Sequence, residues 1–139
     1  LASGHPATII RYSGIYGPSR QRFLEEVQEG RMNPAKPAPF SNRIHEEDAG
    51  DAAAHLVDLA LSGATLEACY LASDCEPVRL DEVVEWVRQQ IPCAEPQPDA
   101  RKGGRAGSKR CSNKRLLGTG FQFRYPDFRA GYRAMIDQG

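Results

Sequence analysis

The stretch Ala7-Thr8-Ile9-Ile10-Arg11-Tyr12-Ser13-Gly14-Ile15-Tyr16-Gly17-Pro18 decides the fold class. Its first six residues are β-branched and nearly continuous in apolar character, the pattern of a strand buried on both faces of a parallel sheet. Ser13 to Pro18 reads as a turn, because two glycines relax the backbone and Pro18 suits the first turn of a helix. A helix is then expected from Ser19 to Glu29, with Phe23, Leu24 and Val27 on one face and Gly30 as its stop.

Outward from this unit, Pro34, Pro37 and Pro39 make Arg31 to Ser41 a loop, and Asn42-Arg43-Ile44-His45 is a short extended piece. Asp48 to Leu61 is a helix, with acids at its start and Leu56, Val57, Ala60 and Leu61 at helical spacing. Ala68 to Ala72 is a second buried strand. Leu80, Val83, Val84, Val87 and Ile91 form the apolar stripe of a third helix. Three prolines and three glycines between Pro92 and Ser112 predict a long flexible loop over 93–112. Asn113 to Leu117 is a helical turn, Phe121 to Tyr125 alternates like an edge strand, and Asp127 caps a last helix carrying Phe128, Tyr132 and Ile136. Strands alternating with helices give an α/β class, in a chain that is one domain or part of one over residues 1–139.

Composition narrows function mainly by exclusion. Of 139 residues, 40% are hydrophobic and 26% charged, enough to build a core. Lys plus Arg and Asp plus Glu are both 18, so net charge points to neither nucleic acid nor an acidic membrane as partner. Cys69, Cys75, Cys93 and Cys111 form no Cys-x-x-Cys pair and have no His at ligand spacing, so no metal site is expected and the thiols read as reduced, in a cytoplasmic protein. Leu1 to Pro6 lacks the basic and apolar regions of a signal peptide, and no apolar run is long enough to span a bilayer.

The sequence contains no Gly-x-Gly-x-x-Gly between strand and helix, since Gly103, Gly104 and Gly107 lie in a basic loop. His45-Glu46-Glu47 breaks the His-Glu-x-x-His pattern, and neither a Walker motif nor a Gly-x-Ser-x-Gly elbow occurs. Arg43 and His45 alternate on a short strand, so both face one side, where they suit a phosphate or sugar hydroxyl, unless they form an exposed edge pair. Tyr16 on a glycine-flanked loop suits stacking on a ligand or plain packing. Asp48 reads as structural. Asn113 and Arg115 stand beside the basic loop, where an anion or bulk solvent would meet them.

Three segments taken together are informative: Arg11 to Pro18, Asn42-Arg43-Ile44-His45-Glu46-Glu47-Asp48-Ala49, and Tyr70-Leu71-Ala72-Ser73-Asp74-Cys75-Glu76-Pro77. In this order and at these separations they resemble the C-terminal half of extended short-chain dehydrogenase/reductases, the NAD-dependent epimerase/dehydratase family. The resemblance runs on through Asn113-Lys114-Arg115-Leu116-Leu117 to the Tyr125-Pro126 ending. It implies a Rossmann-like fold with a small substrate-binding lobe, NAD or NADP as cofactor, and a nucleotide-sugar-like substrate. It also implies that Tyr16, Gly17 and Pro18 pass by the nicotinamide, and that Arg43, His45, Asn113 and Arg115 line the substrate side.

The family's glycine-rich loop and Tyr-x-x-x-Lys pair are not found in this sequence, so the resemblance implies no catalytic residue here and no hydride transfer by this chain alone. The expected partners are the substrate and either a complementary N-terminal half or a second copy of the chain. Another class of function is a polyanion-binding or interaction module using the basic segment 101–115, although nucleic acid is disfavoured by the lack of interleaved aromatic residues. In a further reading, the strand Ala7 to Tyr12 offers an edge that pairs with another chain.

Overall fold

The computed structural model describes residues 7–103 and 107–138. Expectations placed on Leu1 to Pro6, Gly104 and Arg105 lie outside the described residues. In chain order the elements are β1 (Ile9–Tyr12), β2 (Gly14–Tyr16), α1 (Arg22–Gln28), β3 (Phe40–Ser41), β4 (Arg43–His45), α2 (Glu46–Leu61), β5 (Cys69–Ala72), β6 (Val78–Arg79), α3 (Leu80–Gln90), α4 (Lys114–Gly118) and α5 (Phe128–Gln138). The α/β class expected from the sequence holds.

Three two-stranded ladders organise the chain. β1 pairs with β5 and β2 with β4, both in parallel, whereas β3 and β6 are antiparallel. Because side chains alternate across a strand, the β2–β4 ladder serves two cores at once. Ile44, with Ile15 against it, packs with Leu56, Tyr70, Leu116 and Phe121 beneath α2 and α4. Tyr16 points the other way and joins Leu24, Val27, Val84, Phe128 and Tyr132 between α1, α3 and α5. The α3 stripe read from the sequence fills this second core, with Val83 and Val87 fully buried.

Several expectations are corrected. The strand Ala7 to Tyr12 is not buried on both faces: Ile9 is 41% and Tyr12 40% exposed, because among the described residues β1 pairs with β5 alone and only its Ile10 face packs on a core. Ser13 to Pro18 is not all turn, since Gly14–Tyr16 is β2, its register fixed against Arg43, Ile44 and His45. On α2, Ala52 and Leu56 are buried while Val57 and Leu61 face outward, Leu61 at 82% exposure. Phe121 to Tyr125 is not a strand. Its backbone donors at Arg124 and Tyr125 are taken by the two Asp48 carboxylate oxygens, at 2.8 and 3.0 Å, and are lost to any ladder. Asp127 caps α5 as expected, accepting from the Ala130 amide at 3.0 Å.

The segment 93–112 carries neither helix nor strand in its described part, beyond a single Met32–Arg101 bridge. Several of its described residues bond to the rest of the chain. Ala94, Gln97 and Arg101 donate backbone N–H groups to Gln28, Gly30 and Arg31, each at 2.8 Å, and Ser108, Lys109 and Cys111 bond to Phe40 and Asn42.

Candidate functional site

Open α/β sheets place ligands outside the carboxyl ends of their parallel strands. Here the carboxyl end of β1 carries Tyr12 and Ser13, followed by Gly14 at the start of β2, and beside them lies a cleft of about 550 Å³. Its floor and walls include Phe23, Met32, Phe40, Ser41 and Leu80, and its cations are Arg101 and Lys109, with no carboxylate in the lining. Phe40 has guanidinium groups over its ring, Arg79 at 4.4 Å and Arg110 at 5.0 Å. An apolar pocket with aromatic walls and a cationic rim suits a ligand that is flat at one end and anionic at the other.

A second cavity of about 460 Å³ shares Phe23 and Arg101 with the cleft and adds Arg20, Arg22, Tyr16 and Glu26. The buried Glu26 carboxylate takes Arg22 Nε and Arg101 Nη1 on one oxygen, both at 3.2 Å. Three guanidinium groups thus face one carboxylate in the lining, which leaves the hollow electropositive. A further cavity of about 670 Å³ is instead an apolar groove between α2, the start of β1 and residues 64–68. It has no charged residue in its lining and lies apart from the cleft.

The residues singled out in the sequence fall into three groups. Tyr16, Arg43 and His45 come together on one side of the β2–β4 ladder, but beneath the surface: they are 4%, 7% and 1% exposed. Tyr16 stacks on Tyr132 at 4.5 Å between ring centroids and meets His45 edge-on at 5.3 Å. The exposed edge pair considered for Arg43 and His45 is therefore not what forms. Arg43 donates to Ser41 Oγ and sits 5.7 Å from the centre of the Phe128 ring. His45 caps α2, its Nδ1 accepting from the Glu47 amide at 3.1 Å, and burial holds its pKa below the usual 6.5. A neutral ring with the proton on Nε2 fits both facts.

Gly17 and Pro18 close a tight turn in which Arg20 donates its amide to the Gly17 carbonyl at 2.9 Å. Glu46, at the start of α2, locks that turn by accepting from the Ser19 amide and hydroxyl at 2.8 and 2.6 Å, so its pKa lies below the ordinary carboxylate value. A side chain at Gly17 would overlap the Glu46 carboxylate, which explains the glycine. Asn113 is buried, its amide spent on the Ser73 carbonyl at 2.9 Å and on Cys75 Sγ at 3.3 Å. Arg115 stands apart from all of these, exposed beside the Cys69 carbonyl at 3.3 Å.

Sequence reasoning missed two parts of this region. The Phe40–Ser41 and Val78–Arg79 ladder is too short for a periodicity signal, and Asp74, 1% exposed, stands just past a strand where no pattern marks it as buried. Burial pushes the Asp74 carboxyl up to about 7 against the opposing pull of the Glu76 amide and of Arg43. Burial likewise pushes the Tyr132 phenol up to about 12 and raises that of Tyr16 further. Among the described residues no group of three or more His, Cys, Asp or Glu is placed to hold a metal ion, and no helix is long and apolar enough to cross a membrane.

The residues expected to meet a dinucleotide do not form a cradle for one. Tyr16 is in the core, Gly17 is closed off by Glu46, and of the three only Pro18 is exposed.

No family model and no curated protein matches the chain. Solved structures do. A protein of Methylobacillus flagellatus, provisionally named an NAD-dependent epimerase/dehydratase, is 33% identical over 99% of this chain and 49% of its own length, with a TM-score of 0.79. A conserved protein of unknown function from Silicibacter pomeroyi is 26% identical over 95% of this chain and 49% of its own, with a TM-score of 0.73. The human epimerase family protein SDR39U1, solved with NADPH, shares the fold at a TM-score of 0.74 and 15% identity, over 99% of this chain and 52% of its own. The chain thus spans about half the length of the structures it matches. With its parallel ladders and a likeness to these structures along nearly all of its own residues, the chain is similar to the C-terminal portion of the Rossmann-like fold of NAD-dependent epimerase/dehydratase proteins.

Proposed function

We propose that this chain is the substrate-side portion of an NAD(P)-dependent oxidoreductase of the epimerase/dehydratase type, and that its cleft receives a nucleotide-sugar-like ligand. The observation that carries the reading is the cleft at the carboxyl end of β1, with Phe40 on its wall, Arg101 and Lys109 on its rim and a hollow with three arginines beside it. A base stacked near Phe40 leaves its phosphates beside Arg101, where planar guanidinium groups bind phosphate oxygens in pairs.

The chain's own contribution is binding, orientation and exclusion of water. Hydride exchange, supplied by NAD or NADP when bound, belongs with the other half of such a fold, as does the proton transfer that a Tyr-x-x-x-Lys pair performs. A complementary half has a surface to meet. The face of the β1–β5 ladder bearing Ile9, Arg11, Cys69 and Leu71 is open, and an apolar groove lies on the ladder's other side, beside α2. The polyanion-binding alternative is less well supported, since Ser108, Lys109 and Cys111 of the basic segment bond back to Phe40 and Asn42 in the cleft wall.

Titration of uridine diphosphate into the 139-residue chain by calorimetry tests the reading. Binding is expected to weaken at least about tenfold in Arg101→Ala and to fall with added salt, as phosphate contacts require. No binding to the unmodified chain, or binding indifferent to Arg101→Ala, overturns the assignment of the cleft.

A further inference from the structure

Five buried side-chain atoms among the described residues lack a hydrogen-bond partner, and four of them belong to Tyr16, Arg43, Ser73 and Asp74. Buried polar atoms are almost always paired, so four orphans in one neighbourhood call for a physical reason. The groups meet where β4 abuts the turn after β5: the Asp74 amide donates to the Arg43 carbonyl at 2.8 Å, and Asn113 grips the Ser73 carbonyl from α4. Arg43 Nη1 and Asp74 Oδ2 are opposite in charge, each residue more than nine-tenths buried, yet they form no ion pair. Arg43 instead spends Nη2 on Ser41 Oγ and rests over Phe128.

An ionised carboxylate in such a place needs a cation in contact, whereas a neutral one tolerates the gap. We propose that Asp74 and Arg43 form a buried proton-linked latch, in which loss of the Asp74 proton draws the Arg43 guanidinium off Ser41 and onto the carboxylate. Ser41 lies in the wall of the cleft and donates to the Val78 carbonyl across the β3–β6 ladder at 2.8 Å, so the proton state of a buried residue reaches the cleft surface. The latch does not depend on which ligand the cleft receives.

Every packed element contributes to its electrostatics. Arg43 on β4 favours the Asp74 anion, and so does the Glu76 amide. Asp127 ahead of α5 and the Glu76 carboxylate oppose it. Tyr16 on β2 and Tyr132 on α5 face the pair as neutral phenols, and Asp48 on α2 acts on Tyr16 from behind. Burial outweighs the favourable groups and places the Asp74 transition at about 7.

The test is a pH titration of the 139-residue chain by nuclear magnetic resonance, following the Asp74 carboxyl carbon and the Arg43 guanidinium nitrogens together. The Asp74 signal is expected to titrate near 7 and the Arg43 signals to move with the same midpoint, and in Asp74→Asn the Arg43 signals stay still. An Asp74 midpoint in the ordinary range near about 4, or Arg43 signals that ignore the Asp74 transition, overturns the latch.

Stability gives a second reading. Asp74 has a folded pKa raised from 3.8, so its contribution is complete at low pH and is lost as pH rises through about 7. The melting temperature of the native chain is therefore expected to fall across that window relative to Asp74→Asn. His45, with its pKa lowered, works in the opposite sense in both proteins, so the comparison removes it. If Asp74→Asn does not fold, the common midpoint of the two signals in the native chain decides alone.

Discussion

At the scale of single residues, the packing of Tyr16 against α5 is the tightest commitment in the molecule. Its ring is held between Tyr132 and His45, and its hydroxyl lies over Gly131 without a partner. A methyl group at position 131 would overlap both the hydroxyl and the ring carbon that bears it. Gly131→Ala is accordingly expected to cost about 1–3 kcal/mol in chemical denaturation, since neither ring can slide away. Tyr16→Phe removes a buried, unpaired hydroxyl and is expected to be close to neutral by itself. In the double variant it should recover part of the Gly131→Ala loss, and a strictly additive pair would show that the contact is not the cause.

Helix α2 shows how an element is fixed by groups outside itself. Its start is defined three times over: His45 caps the Glu47 amide, Glu46 locks the turn at Ser19, and Asp48 accepts from the Arg124 and Tyr125 amides. The last of these is tertiary, joining residues more than seventy positions apart. Asp48→Ala leaves two backbone donors without their acceptor and is expected to cost roughly 2–4 kcal/mol. Hydrogen exchange should then show the 121–125 segment losing protection before the helix interior does. Uniform loss along α2 would mean that Asp48 acts only on its own helix.

For the whole molecule, the distribution of exposed apolar groups is the informative feature. Ile9 and Leu71 lie on the open face of the β1–β5 ladder, and Val57 and Leu61 on the outer side of α2. A sheet with one uncovered face and a free edge invites association. The chain is expected to self-associate with rising concentration by light scattering, and Ile9→Lys should shift the onset to concentrations about tenfold higher while leaving the fold intact by circular dichroism. Unchanged association in Ile9→Lys would remove this face as the cause.

Much of this protein was legible in the order of its residues. The α/β class followed from local patterns, as did α3 from its i, i+3, i+4 and i+7 stripe, α5 from its Asp127 cap, and the likeness to the C-terminal half of the epimerase/dehydratase fold from three spaced segments. These signals are local, since strand alternation, helix period and capping involve neighbours within one turn or one pleat. The sequence by itself also brought Arg43 and His45 forward as a pair facing one side, and they do share one side of a ladder, with Tyr16 beside them. What only the tertiary structure decided is which surfaces are covered. It put those residues in a core rather than on a rim, left β1 open on one face, and withdrew the 121–125 donors into the Asp48 carboxylate. It also set Asp74 in a place where its charge is costly. Burial depends on contacts between residues far apart in the chain, and no period or spacing along the chain records them.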